Sequence, residues 1–296
     1  MSGAPRRFLL VSRVGAQGLH AGWLAPGTER SYDVFLSAYD PDLPEITGDG
    51  LFFERREGTK VAGYAGFLDD HAALLRRYSH VAFFDEDLAA DVATLNGLFA
   101  CCAERGLRLA QPALTLDSHF SFAALLQQKS FRLRYVNFVE MMCPIFRVDA
   151  LEEVRPLFGM GLESGIDLAW CNLLYRSPRD FAVIDAFPVT HTRPVGAQKE
   201  RNGFEGARGY EDDIGTVLGL FDLPWLSCVP YAAETRSGRR VTSRARLLLG
   251  ALGLAAATFR QRPGGLRLKA IALHWYHLVE RRPLNIPRMF PVTPEG

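Results

Sequence analysis

The chain has 296 residues, 48% of them hydrophobic, 11% aromatic and 23% charged, with a formal net charge of +1 at pH 7. That is ordinary globular composition, enough for one large domain or two small ones, and it shows no internal repeat, low-complexity tract or long linker. Five cysteines (Cys101, Cys102, Cys143, Cys171 and Cys228) lack CxxC spacing, which argues against a zinc site or disulfide framework and for a reducing, cytoplasmic compartment.

In chain order, "RFLLVSRV" is strand-like, and its apolar run breaks at Ser12 and Arg13, too short for a secretory signal. "YDVFLSAYD" is a second strand and "GYAGFLDDHAALLRRY" is helical. "HVAFFDED" is a strand that runs into three acids, Asp85, Glu86 and Asp87. "LAADVATLNGLFACCAERG" sets Leu88, Val92, Leu95, Phe99 and Cys102 on one helical face, with Gly106 as its stop. "LRLAQPAL" is expected as a strand, "FSFAALLQQ" as a helix, and "LRYVNFVEMMCPIFRV" as one long strand. "ESGIDLAWCNLLY" is a short helix and "FAVIDAFPVTH" a strand. Strand alternating with helix implies an α/β fold with a mostly parallel sheet. Ligands of such sheets bind outside the carboxyl ends of the strands.

The small net charge conceals an imbalance. From Arg236 onward there are twelve basic and two acidic residues, a charge of +10 against −9 for the first 235. We therefore expect a catalytic domain over 1–235 and a basic, mainly helical extension over 236–296. The apolar window "LLLGALGLAAATF" in that extension would reach roughly 20 Å as a helix, short of a bilayer core of about 30 Å. With its flanking arginines it would suit the surface of an anionic membrane, or a core helix with a solvated rim.

The three acids stand where a ligand site is expected. Asp85 and Asp87, one residue apart beyond a strand, can both approach a divalent ion, and hard oxygen ligands suit Mg²⁺ or Mn²⁺. Alternatively, Asp87 caps the following helix while Asp85 and Glu86 meet its positive end.

Five motifs taken in order, "FFDEDL", "LAQPALTLDSHFS", "RLRYVNFVEMMCPIFRVDAL", "SGIDLAWCNLL" and "VIDAFPVTHTRPVG", resemble the domain-of-unknown-function family numbered 707 over about residues 6 to 200. That family is similar to the GT-A nucleotide-sugar glycosyltransferases, which implies a GT-A-like (Rossmann-like), mostly parallel mixed sheet flanked by helices. The resemblance implies Mn²⁺ or Mg²⁺ on Asp85, Asp87 and His191, a nucleotide-sugar donor, and a glycan or lipid-linked acceptor. Asp167 would be the base that deprotonates the acceptor, with Glu163 as its substitute or as a helix cap. Arg193 would meet the phosphates unless it is a solvated surface residue. Arg13, Tyr39, Asp40 and Glu86 would line the nucleotide site, and Glu140, Gln111 and Ser118 the substrate. Two departures stand out: Glu86 occupies the middle of a usually Asp-rich motif, and Glu163-Ser164-Gly165-Ile166 replaces the family's Trp-Gly. For His191 and Glu140 there are plainer roles, a satisfied strand-end histidine and a core ion pair to Arg132 or Arg134.

Two other classes compete. A haloacid-dehalogenase-type phosphatase also follows an apolar strand with Asp-x-Asp, and Asp212-Asp213 could serve as its later acidic pair. A carbohydrate-binding or scaffold protein could keep the fold without turnover. Nucleic acid is not an expected partner, because the basic segment carries no recognisable reading motif. A cytoplasmic location, peripheral on the inner membrane face, follows from these readings.

Overall fold

A computed structural model describes residues 6–195, 209–223, 230–247, 249, 250 and 254. The elements are β1 (Phe8–Val14), α1 (His20–Trp23), β2 (Tyr32–Ala38), β3 (Leu51–Arg55), α2 (Lys60–Asp70), α3 (Ala72–Leu75), β4 (His80–Phe83), β5 (Leu88–Ala89), α4 (Val92–Arg105) and β6 (Leu109–Leu114). There follow β7 (Phe131–Val136), β8 (Ile145–Arg147), α5 (Val148–Phe158), α6 (Ile166–Leu174), β9 (Phe181–His191), α7 (Tyr210–Leu220), β10 (Pro230–Thr235) and β11 (Arg240–Val241).

The fold is α/β. Its sheet runs β11-β10-β7-β9-β6-β8-β4-β1-β2-β3, with β5 paired to the end of β9. Parallel pairing joins β3 to β2, β2 to β1, β1 to β4 and β6 to β9; β8, β7 and β10 enter antiparallel. Every residue of β1 and β2 is buried, as both faces of a parallel sheet require. Alternate β1 residues serve opposite layers: Leu9 and Val11 pack toward α2, α5 and α6, and Leu10 and Val14 toward α4.

Several expectations are corrected. The start of the predicted helix at Leu88 is the short strand β5, and α4 begins only at Val92, with Asp91 accepting the Thr94 N–H at 2.7 Å. Asp91, not Asp87, is therefore the cap. Gly106 ends α4 in the left-handed region at φ 61°, where a residue without Cβ is unstrained. "FSFAALLQQ" forms only a 3₁₀ turn at Ala123–Leu125. The long strand predicted over 133–148 breaks into β7 and β8, because β7 pairs with β9 and β10 while β8 pairs with β4 and β6. Residues 137–144 cross between them over the site.

A wholly buried ion pair fixes the neighbouring loop. Arg134 Nε and Nη2 donate to Asp185 at 2.8 and 2.9 Å, and the same guanidinium holds the carbonyls of Ala124 and Leu126. Asp185 also accepts the Gln128 N–H at 2.8 Å. Unpaired, either charge would be costly at this depth.

Candidate active site

The acids lie beyond β4, where the chain turns out of the sheet. Asp85 N–H donates to the Met142 carbonyl at 3.0 Å, and the chain then enters β5, whose Leu88 and Ala89 face His191 and Thr190. Thr192 closes this pairing, its N–H and hydroxyl both donating to the Asp87 carbonyl, at 3.1 and 2.9 Å. The two-residue strand thus brings Asp87 beside a histidine 104 positions away.

His191 Nε2 lies 3.3 Å from Asp87 Oδ2. Its Nδ1 is 2.9 Å from the His119 carbonyl, which only accepts, so Nδ1 carries a proton and Nε2 faces the carboxylate. Burial would lower the His191 pKa, but the Asp87 carboxylate outweighs it and the net shift is upward. Asp87 answers in kind: burial raises its pKa, and the imidazole brings it below the ordinary value. Asp87 Oδ1 is buried without a hydrogen-bond partner.

These two side chains fit a divalent ion. Atoms about 3 Å apart are neighbours in an octahedral shell of about 2.1 Å radius, and the free Oδ1 leaves acceptor capacity. Asp85 stands differently, with Oδ1 2.5 Å from Lys60 Nζ. Among the described residues, no group of three or more His, Cys, Asp or Glu side chains is arranged to hold a metal.

The expected acceptor side lies on the crossing loop and α6. Asp167, in the first turn of α6, accepts the Met141 N–H at 3.2 Å, and burial pushes its carboxyl up to about 6. Glu140 is also buried; its N–H donates to Gln111 Oε1 at 2.7 Å and its Oε2 has no partner. The suggested core ion pair of Glu140 does not form, since Arg134 is held by Asp185 and Arg132 donates to Glu104 at 3.2 Å. Ser118 Oγ accepts the His191 N–H at 3.1 Å, so Ser118 positions the histidine.

Glu163 faces another way. Its carboxylate accepts from the Thr59 hydroxyl and from Val61 and Ala62 N–H at 2.9 and 3.2 Å, capping α2 from a distant loop. The acidic pair of the phosphatase alternative has similar work: Asp212 accepts the Gly209 N–H at 3.0 Å and Asp213 the Glu163 N–H at 2.8 Å.

Where the nucleotide was expected, Glu86 ties three strand ends together. It accepts Gly15 N–H at 2.6 Å, the Tyr39 hydroxyl at 2.7 Å and Arg193 Nη1 at 3.2 Å. A Cβ on Gly15 would stand 2.5 Å from the Tyr39 hydroxyl oxygen, so any larger residue there would push Tyr39 off Glu86. Arg193 also reaches the Gln17 carbonyl. Asp40 accepts the Ala16 and Asp42 N–H groups at 3.3 and 3.0 Å. Arg13 turns inward instead, to Ser37 Oγ at 2.8 Å and the Gly58 carbonyl at 2.9 Å, under Gly63 of α2.

Lys60 is what sequence reasoning missed. Its ammonium bridges Asp85 and the Met141 carbonyl, the latter at 3.0 Å. The chain has four lysines against thirty arginines, and that rarity was the available signal.

No family model matches the chain, and no curated protein matches it, so the family-707 resemblance rests on its motifs. Solved structures do match. GalNAc-T7 with UDP, GalNAc and Mn²⁺ is similar with a TM-score of 0.52 and 8% identity, over 73% of this chain and 48% of that one. S. aureus TarS 1–349 in complex with UDP-GlcNAc is similar over 92% of this chain and 73% of that one, with a TM-score of 0.46 and 11% identity.

The fold is GT-A-like.

At such identity the likeness concerns the fold. Within a GT-A-like frame, Gly15, Tyr39 and Asp85–Asp87 lie at the carboxyl ends of β1, β2 and β4, and His191 at that of β9, where α/β sheets take their ligands.

Proposed function

We propose that this chain is a metal-dependent glycosyltransferase, moving a sugar from a nucleotide-diphosphate donor to a hydroxyl of a glycan or lipid-linked acceptor. The observation that carries this reading is the meeting of Asp87 and His191, with a buried carboxylate oxygen unsatisfied, on a GT-A-like sheet. Asp87 and His191 would hold Mn²⁺ or Mg²⁺, and the chemistry such an ion supplies is neutralisation of charge on the departing diphosphate.

The chain's own residues do the rest. Asp167, anchored by the Met141 N–H, takes the acceptor proton as the acceptor oxygen bonds to the anomeric carbon. The bond from that carbon to the diphosphate oxygen breaks, and its electron pair leaves with the nucleoside diphosphate. A carboxyl with pKa near 6 is mostly ionised at neutral pH yet basic enough to accept a proton. Arg193, held by Glu86, would meet phosphate oxygens.

The test is thermal stabilisation by nucleotide sugars and nucleoside diphosphates, with and without Mn²⁺. A ligand of the native state raises Tm by mass action. We expect a nucleoside diphosphate to stabilise the wild type in a Mn²⁺-dependent way, and Asp87→Asn to abolish the metal-dependent part. No shift with any nucleotide would sink the reading, and turnover through a trapped aspartyl phosphate would transfer it to the phosphatase class.

A further inference from the structure

Lys60 is the first residue of α2, and that end of the helix is anchored by Glu163. Its ammonium is therefore held in place. Nζ lies 2.5 Å from Asp85 Oδ1 and 3.0 Å from the Met141 carbonyl, while the Met141 N–H donates to Asp167 Oδ2 at 3.2 Å. Its positive charge bears on the carboxyls of Asp85, Asp87, Glu140 and Asp167 alike. Within this group, Asp87 Oδ1 and Glu140 Oε2 lack hydrogen-bond partners, on residues only 6% and 7% exposed.

That arrangement poses a problem of charge. A divalent ion on Asp87 and His191 would draw Asp85 as a further ligand, but Asp85 is already paired. The ammonium both blocks Asp85 and repels a second cation held by Asp87, on whose carboxyl its charge bears. Both effects act in one direction.

We propose that Lys60 is an internal counter-cation that competes with a divalent ion for Asp85, so that the ion gains Asp85 only when the ammonium is displaced. The role rests on the metal-dependent reading of the Asp87–His191 pair. It makes Lys60 a positioning residue: it acts through Asp85, and it keeps the acidic cluster compensated while no ion is bound. Arginine keeps the charge; methionine keeps the stem and loses it.

The experiment is a Mn²⁺ titration of the full chain, without nucleotide, following free Mn²⁺ by electron paramagnetic resonance. Lys60→Met should bind Mn²⁺ tenfold or more tighter than wild type, Lys60→Arg should stay within about threefold, and Lys60→Met with Asp85→Asn should lose the gain. Asp85→Asn alone should bind Mn²⁺ no tighter than wild type, because it removes the ligand under competition and leaves the ammonium uncompensated; this arm does not need the lysine variant to fold. Equal or weaker Mn²⁺ binding by folded Lys60→Met, a gain that survives Asp85→Asn, or tighter binding by Asp85→Asn alone overturns the proposal. UDP binding to the wild type is measured separately by calorimetry. UDP binding with unchanged Mn²⁺ affinity in Lys60→Met overturns the role of Lys60 only. The tenfold gain without UDP binding supports Lys60 and overturns the transferase reading.

Discussion

Glu140 is a residue whose environment constrains its charge. It is 7% exposed, one oxygen lacks a partner, and burial pushes its carboxyl up to about 7, against a hydrogen bond from Ser121 and with help from the Asp167 charge. A carboxyl raised from 4.5 to about 7 on folding adds stability that is fully present below the unfolded pKa and lost as pH rises through the folded one. Glu140→Gln keeps the shape and removes the charge, so at pH 8 it should be more stable than wild type by roughly 1–3 kcal/mol, with the difference vanishing near pH 4. Urea unfolding at the two pH values checks this, and a difference independent of pH would mean that Glu140 is not buried as a charge. At this scale, the meeting of Asp87 with His191, 3.3 Å apart, could be read in advance from ordered motifs. Lys60 and Ser121 could not, because a lysine opening a helix looks like any solvated one until the loop at 140–142 is folded over it. Arg13 was legible as a charge near the site but not as one turned inward, since that depends on Gly63 leaving room.

The secondary elements tell a similar story about what pattern can carry. Long periodic segments, such as α4 with its Gly106 stop, were readable from spacing alone. β5 was not, since two residues have no period and their strand character comes from β9. The split of β7 from β8 was equally hidden, because an apolar run does not say which neighbours each half will pair with. α2 adds a subtler case. Thr59 precedes it as a cap should, yet its hydroxyl donates to Glu163, and that distant carboxylate caps the helix. Glu163→Ala should therefore cost about 1–2 kcal/mol of stability, seen as a lower denaturation midpoint, with kcat preserved once the protein is folded. Asp167→Asn should do the reverse, costing no stability, leaving donor affinity near wild type and lowering turnover by about 10²-fold or more. If the two variants exchange phenotypes, Glu163 is the base.

For the molecule as a whole, the basic C-terminal region begins inside the sheet. The boundary expected at 235/236 falls in the turn between β10 and β11, which pair with each other. Beyond it, Leu247 packs with Phe131, Ala233 and Val241, and Leu254 joins the cluster that includes Leu98, Phe99 and Leu133. Among the described residues no helix is long and apolar enough to cross a membrane, and most of the window 247–259, with the rest of the tail, lies outside the described residues. Leu247 and Leu254, 2% and 1% exposed, place at least part of this segment in the core, while Arg244, Arg246 and Leu249 are exposed. The two roles then separate by measurement. Leu254→Ala should lower stability by about 2–4 kcal/mol in the complete absence of lipid, because it empties a filled core position. If anionic membranes are also a partner, the full chain should co-sediment with phosphatidylserine vesicles at low salt and less so at physiological salt, where screening weakens attraction between separated charges. A Leu254→Ala protein as stable as wild type would remove the segment from the core, and indifference to anionic vesicles at low salt would end the membrane proposal.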